Sequence, residues 1–236
     1  QWATGGVGRA AIEGILDHPD LELVGAWVHS AAKEGVDLGT LVGRDPIGVQ
    51  ASCDVEALLA LEADCVLYSP IFADPGVVDR ILRSGKNVVT PLGWFHPPSD
   101  ERARVDGVAR EGGVSIHGTG IHPGGITERF PIMVSALSGS ISHVRAEEFS
   151  DIRTYGAPDV IRDWMLFGKT PEEARTSIMA DALGAGFRQS IHMVADELGF
   201  DIDPELRTTH EMAVATAPID SPIGVIEPGL VAAQRF

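Results

Sequence analysis

Reducing a C=O or C=N bond needs a hydride source and a group that gives a proton or meets the developing negative charge. Imidazole suits the second task near neutral pH, and three of the eight histidines stand where strand-like runs give out. His122 lies in Gly120-Ile121-His122-Pro123-Gly124-Gly125, whose glycines permit close backbone approach, and is the first candidate for the acid. His96 follows the run Asn87–Thr90 through Pro91-Leu92-Gly93-Trp94-Phe95 and is the second; His117, inside a strand-like run, reads as structural. Tyr155, Trp164, Met165 and Phe167 could wall an apolar substrate, although core packing explains aromatic and methionine residues at helical spacing equally well. Glu147, Glu148 and Asp151 alternate faces of one extended run, and no Cys/His cluster has zinc spacing, so no metal is expected. Cys53 and Cys65, each beside apolar residues, are expected to be buried thiols in a reducing cytoplasm.

The hydride source is indicated at the start of the chain. Ala3-Thr4-Gly5-Gly6-Val7-Gly8 fits the dinucleotide fingerprint G-x-G-x-x-G with alanine in place of the first glycine. Gly5 would let backbone N–H groups approach a pyrophosphate, and Gly8 would let a helix pack closely on the sheet with its positive end toward the phosphates. A glycine-rich turn that binds nothing is the alternative. The dinucleotide reading is favoured because an amphipathic run from Val7 to Leu16 follows, and then a buried-strand run, Leu21–Val28. After that strand an NAD enzyme commonly places an acid against the ribose hydroxyls. Here His29-Ser30-Ala31-Ala32-Lys33 offers none, whereas His29, Ser30 and Lys33 can bind a 2′-phosphate, so NADP is favoured over NAD. The ends of two further strand-like runs, Asp64–Pro70 and Asn87–Thr90, add Ser69, Pro70, Thr90, Pro91 and Gly93 to the expected cofactor contacts.

These residues need a scaffold in which strands and helices alternate. Helices are expected at Asp54–Ala63, Asp74–Ser84 and Pro98–Glu111 between the strand-like runs, with Val114–His117 the last strand, which implies an α/β, doubly wound parallel sheet over residues 1–120. From 121 to 236 the grammar changes to an α+β second domain. It should hold a helix near Thr127–Leu137, a long strand Ile141–Arg153, and helices Pro158–Phe167 and Pro171–Leu198, the latter opened by a Thr170/Glu173 capping box. Antiparallel strands over Glu205–Ala217 and Gly224–Phe236 should close it. Because Gln1 falls inside a strand and Val231–Phe236 is extended with nothing after it, the chain is expected to be truncated at both ends or completed by assembly. The formal charge of −16 disfavours nucleic acid and anionic membrane surfaces and leaves a small molecule as the expected partner. No apolar run approaches the roughly 20 residues of a membrane span.

Three segments, Trp2-Ala3-Thr4-Gly5-Gly6-Val7-Gly8-Arg9, Gly25-Ala26-Trp27-Val28-His29-Ser30 and Gly118-Thr119-Gly120-Ile121-His122-Pro123-Gly124, resemble the dihydrodipicolinate reductase-like superfamily. With Pro222-Ile223-Gly224-Val225-Ile226-Glu227-Pro228-Gly229, the chain looks most like the branch of 2,4-diaminopentanoate dehydrogenase and the native amine dehydrogenases. The resemblance implies an N-terminal Rossmann domain, a C-terminal α+β domain that holds a ketone, imine or amine over the nicotinamide, and a homodimer. One departure concerns ammonia. Members carry a glutamate soon after the strand resembling Asn87–Thr90, whereas Thr90-Pro91-Leu92-Gly93-Trp94-Phe95-His96-Pro97 contains no acid. The expected function is therefore hydride transfer to a ketone or imine carbon. The alternatives are a catalytically silent NADP-binding sensor or scaffold, or a dihydrodipicolinate reductase proper.

Overall fold

The computed structural model describes residues 1–176, 179–203 and 205–235. Helix α1 (Gly6–Asp17) buries Gly8 and Ile12, and strand β1 (Ala26–Trp27) follows. After a 3-10 turn at Ala31–Lys33, the short α2 (Leu38–Leu41) starts where the Asp37 carboxylate accepts the Gly39 and Thr40 N–H groups. Strand β2 (Ala51–Ser52) leads to α3 (Val55–Ala60), capped by Asp54, and then to β3 (Cys65–Leu67). Asp74 caps α4 (Pro75–Arg83), with Pro75 at a first-turn position that needs no N–H donor. Strand β4 (Asn87–Thr90), α5 (Ser99–Gly112), closed by Gly113 at φ 69°, and β5 (Ile116–Gly118) complete the alternation.

Every strand pair here is parallel. β1 pairs with β2, and β3, β4 and β5 lie side by side in that order. Trp2 bridges both groups, pairing with Trp27 on one side and Tyr68 on the other. The order across the sheet is thus β2, β1, Trp2, β3, β4, β5, which reverses its direction of growth at Trp2 as a doubly wound nucleotide fold does. The ladder segments are shorter than the apolar runs Leu21–Val28 and Asp64–Pro70. The partner of β1 offers only Ala51 and Ser52 before Asp54 opens the next helix. One apolar cluster joins Trp2, Tyr68 and Val88 to Val78, Ile81 and Leu82 of α4 and Val105 and Val108 of α5; another joins Ile12 of α1 to Val28, Leu38 and Ala51.

The chain divides into two compact units, Gln1–Gly124 and the remainder from Gly125, four residues beyond the boundary expected from sequence. In the second unit α6 (Arg129–Ser135) forms, but the expected long strand Ile141–Arg153 does not. A strand needs a partner edge for its N–H and C=O groups, and among the described residues the strands of this unit pair only with one another. The stretch runs without a ladder to a 3-10 turn at Ile152–Thr154, leaving Phe149 exposed. A π-helical turn at Val160–Trp164 occupies part of the expected helix Pro158–Phe167. The Thr170/Glu173 capping box is present: the Thr170 N–H donates to Glu173 Oε2 at 2.9 Å and the Glu173 N–H to Thr170 Oγ1 at 3.3 Å. It opens α7 (Pro171–Thr176); α8 (Met179–Leu198) covers the rest of the expected Pro171–Leu198 helix, whose residues 177 and 178 lie outside the described residues. The expected antiparallel pair is found as β6 (Glu211–Val214) with β9 (Val231–Arg235). A separate hairpin forms between them, β7 (Ile219–Ser221) with β8 (Gly224–Ile226), so the first residues of the expected strand Gly224–Phe236 pair with the preceding segment instead. Phe236, placed in the last strand from sequence, lies outside the described residues.

Two glycines of α5 should respond oppositely to the same change. A Cβ on Gly112 would sit 1.9 Å from the Leu82 carbonyl oxygen at the end of α4, whereas one on Gly107 would meet nothing within 4 Å. Gly112→Ala should destabilise by roughly 1–3 kcal/mol through overpacking. Gly107→Ala should stabilise by up to about 1 kcal/mol through helix propensity. Urea unfolding of the two variants checks both signs.

Candidate functional site

The backbone of the fingerprint loop is built by close approach. Ala3 donates its N–H to the Trp27 carbonyl at 3.0 Å and then turns into the left-handed region, φ 73°, where a Cβ costs about 1–2 kcal/mol. The alanine at the first fingerprint position therefore occupies a glycine conformation. Gly8 packs under it so closely that a Cβ would lie 2.1 Å from the Ala3 carbonyl oxygen. Gly5 and Gly6, by contrast, face open space, with nothing within 4 Å of an added Cβ. Gly5 is the N-cap of α1 and supplies no side-chain cap. The helix opens with the bond from the Arg9 N–H to the Gly5 carbonyl, so the N–H groups of Gly6, Val7 and Gly8 head a 12-residue helix with no side chain closing it. Such an end binds anions, and the open faces of Gly5 and Gly6 leave room for a pyrophosphate. By this criterion the loop fits a dinucleotide.

Charge is arranged to match. Lys33 extends from the 3-10 turn after β1 to the loop, donating through Nζ to the Thr4 carbonyl at 3.1 Å and to Thr4 Oγ1 at 3.3 Å. Thr4 itself is buried. The neighbouring acid is turned elsewhere: the Cys53 thiol and N–H, and then Ser52 Oγ, engage the Glu34 carboxylate and hold it below the usual range. His29 and Ser30 are exposed, and the His29 ring stands 6.0 Å from Trp27, which stacks on Trp2 at 5.5 Å. On the other flank, the Gln1 side-chain amide donates to the Ala3 carbonyl at 2.9 Å and to Ser69 Oγ at 2.7 Å, fixing Ser69 beside the loop with Pro70 next in chain.

At the carboxyl ends of β4 and β5 a second rigid region forms. Thr90 is fully buried; its Oγ1 accepts the Leu92 N–H at 3.1 Å and its carbonyl accepts the Thr119 N–H at 2.8 Å. Pro91 is exposed, Gly93 has φ 134°, and Trp94 is left-handed at φ 54°. Gly118 touches this turn backbone to backbone, since a Cβ there would lie 2.3 Å from the Gly93 carbonyl oxygen and 2.4 Å from that of Trp94. The Trp94 indole N–H donates to Glu101 Oε1 at 3.0 Å. Arg104 grips the same carboxylate through Nε and Nη2 at 2.8 and 3.0 Å, and reaches Asp79 of α4 through Nη1 at 2.9 and 2.7 Å. That guanidinium, and then the indole, hold the Glu101 carboxyl below its ordinary range.

The histidines separate by environment. His122 is half-buried with its Nδ1 atom enclosed, and it precedes a cis peptide to Pro123 in a loop where a Cβ on Gly124 would strike Gly120 N at 2.4 Å. His96 Nε2 lies 3.2 Å from Arg102 Nη2, which places a fixed positive charge beside it. His117 is exposed on β5 rather than part of a core. Of the four residues considered for an apolar wall, Phe167 is buried in the core of the second unit with Met165 packed against that cluster, while Tyr155 is exposed and Trp164 half-buried. Both thiols correct the sequence expectation: Cys53 and Cys65 are exposed, because Cys53 lies in the turn before α3 and Cys65 is the first residue of β3. Sequence reasoning missed Glu128. It is fully buried and stands at the N-cap of α6 without capping it, its carboxylate accepting instead from Thr127 Oγ1 at 2.5 Å. Its only sequence signal is an acid just before an apolar helix, which an ordinary exposed N-cap also gives.

A parallel sheet reversing at Trp2, with an open glycine loop and an uncapped helix end at that point, defines the class of Rossmann-type nucleotide-binding proteins. Comparison with known proteins narrows the class. Residues 126–236 match the family described as the 2,4-diaminopentanoate dehydrogenase C-terminal domain. Over its whole length the chain is 32% identical to an amine dehydrogenase of Streptomyces virginiae, of which it covers 68%. It is 29% identical over 155 residues to 2,4-diaminopentanoate dehydrogenase of Acetoanaerobium sticklandii, covering 65% of this chain and 42% of that one. The structure of amine dehydrogenase from Mycobacterium smegmatis superposes with a TM-score of 0.75 over 99% of this chain and 72% of the other, at 22% identity, and so shares the fold. The chain belongs to the dihydrodipicolinate reductase-like branch that holds the amine dehydrogenases and 2,4-diaminopentanoate dehydrogenase, and it is an NAD(P)-dependent oxidoreductase.

The loop geometry separates binding from folding. Gly5, at φ −73° in open space, tolerates a side chain, so Gly5→Leu should fold normally and lose the dinucleotide. Gly8→Ala should lose stability as well, since its methyl meets backbone. Ala3→Gly should gain roughly 0.5–1 kcal/mol by relieving the left-handed alanine, net of the added unfolded-state entropy. Calorimetric titration with NADPH and thermal melts of the three variants distinguish these outcomes.

Proposed function

We propose that this protein reduces a ketone or imine carbon with NADPH, using ammonia when the product is an amine. The uncapped amino end of α1 above the open Gly5–Gly6 pair carries this reading, because it is a prepared site for a pyrophosphate. When bound, the nicotinamide supplies the hydride. Gly5, Gly6 and the first-turn N–H groups of α1 would hold the pyrophosphate. Ser69, Pro70, Thr90, Pro91 and Gly93 would line the path to the ring. His122 would give the proton to the oxygen or nitrogen that gains charge, with His96 the second candidate. Support for His122 comes from its half-buried ring in a loop pinned by glycines, whereas the His96 ring is already engaged with Arg102. Tyr155 and Trp164 remain available to contact substrate, whereas Phe167 and Met165 pack in the core.

The finer choice of NADP over NAD rests on Lys33, whose ammonium sits against Thr4 of the loop while Glu34 is held by Cys53 and Ser52. A cation beside the adenosine ribose attracts a 2′-phosphate. The homodimer implied by the resemblance and the cytoplasmic location expected from the two cysteines belong to the same proposal, tested by light scattering and cell fractionation. Among the described residues no helix is long and apolar enough to cross a membrane.

Absorbance of NADPH during incubation with ketones, with and without ammonia, tests the reaction. Turnover that requires ammonia identifies an amine dehydrogenase, and turnover without it a carbonyl reductase; NADPH binding with no turnover under either condition leaves the silent binder. NADPH should bind more tightly than NADH, and Lys33→Met should shrink that difference; equal affinities in the unaltered protein would contradict the assignment. His122→Asn should lower turnover by roughly 10²–10⁴-fold with NADPH affinity unchanged.

A further inference from the structure

The turn after β4 is held by more contacts than its length requires. Trp94 keeps a left-handed backbone that an L side chain rarely adopts, although its ring and its main chain would both be freer in an ordinary turn. Three separate features enforce that conformation. Gly118 seats the end of β5 on the Gly93–Trp94 peptide with no room for a Cβ. The indole N–H is tied to Glu101 at 3.0 Å. Glu101 is in turn fixed by the fork of Arg104, whose other edge is bidentate to Asp79 on the neighbouring helix. The chain Asp79–Arg104–Glu101–Trp94 thus runs from α4 through α5 into the turn. Asp79 and Glu101 are the two least exposed side chains among its charged members, with 17% and 33% of their side-chain surface accessible. Elsewhere on α5 an ion pair is placed quite differently: Arg110 and Asp106 pair at 2.7 Å with 79% and 57% of their side chains exposed, and they hold no loop.

Strain kept in place by converging contacts is characteristic of sites where geometry matters more than stability. This turn lies at the carboxyl end of a central parallel strand, the edge at which ligands of open α/β sheets bind. We propose that Asp79, Arg104 and Glu101 are positioning residues for the oxidoreductase reaction, acting through Trp94 to hold the Thr90–Trp94 turn where the nicotinamide ring must be aligned for hydride transfer. This rests on the proposed reductase function. Glu101 and Arg104 act through their bonds to Trp94 and Asp79. Their effect is to keep the turn from relaxing, because a displacement of about 1 Å at a reacting centre can cost on the order of 10²-fold in rate.

The experiment compares Trp94→Phe, which keeps an aromatic ring but removes the N–H, with Glu101→Ala and the double variant. Arg110→Gln serves as an ion-pair control on the same helix. Four readouts are taken: NADPH affinity, melting temperature, emission of the bound nicotinamide, and the primary isotope effect on kcat with NADPH deuterated at C4. Each single variant should keep NADPH affinity within about twofold, because the pyrophosphate loop is untouched, and lose roughly 10–100-fold in kcat. The isotope effect should grow as hydride transfer becomes rate-limiting, and the double variant should lose no more than the worse single one, since both break one chain. Bound-nicotinamide emission should fall toward that of free NADPH in all three, and the control should match the unaltered protein throughout. Loss of activity that only follows loss of folded protein, or an unchanged isotope effect and emission, overturns the positioning role. If the unaltered protein binds NADPH but reduces no ketone or imine, the functional reading fails on its own, and the emission comparison still decides whether the turn aligns the ring.

Discussion

At the carboxyl edge of the sheet, main chain meets main chain with no side chain between. Gly8 presses against the Ala3 carbonyl, Gly118 against the Gly93–Trp94 peptide, and Gly124 against Gly120, each so closely that a single added carbon would overlap backbone. Because peptide atoms cannot move aside as a flexible side chain can, these contacts constrain the three loops that follow Trp2, β4 and β5. The remaining features of the edge depend on that fixity. The amino end of α1 can face a pyrophosphate only if Gly8 lets the helix lie down on the strand, and the β4 turn keeps its shape only while β5 is seated on it.

The same edge shows where stability is given up. Ala3 and Trp94 both take left-handed conformations that cost about 1–2 kcal/mol each, and neither is a glycine. The charged network that holds Trp94 is partly solvent-exposed, and exposed pairs contribute only about 0–1 kcal/mol, so it does not offset the strain by much. A network of that kind serves alignment better than stability. It also persists toward acid: with Glu101 held below its usual carboxyl range by Arg104, the contribution is fully present above the unfolded value near 4.5 and is lost only as pH falls through the folded value.

How far the sequence disclosed this arrangement depended on the range of the interactions. The fingerprint was legible because each glycine reports a local backbone need, and the caps Asp54, Asp74 and Thr170 mark helix starts within a few residues. The parallel order followed from the alternation of strand-like and helical runs. What depended on distant partners was not legible. Ile141–Arg153 has the composition of a strand but no edge to pair with among the described residues, and Cys53 and Cys65 have apolar neighbours in sequence yet are exposed, one in a turn and the other at the start of β3. Nothing in Glu128 or Arg104 distinguishes it, by residue type, from a solvated charge; the burial of one and the bridging of two helices by the other arise from tertiary packing. The glycine signal showed that Ala3 was a departure from the fingerprint, and the structure shows its consequence as strain.

The central claim is that a nicotinamide dinucleotide held by the Gly5–Gly8 loop passes its hydride to a substrate carbon. Mass spectrometry of the product formed from a ketone, ammonia and NADPH deuterated at C4 tests it most directly. The account predicts one deuterium on the carbon that was the carbonyl, with loss of transfer in Gly5→Leu. Amine or alcohol that carries no deuterium from either face of the labelled cofactor would contradict it.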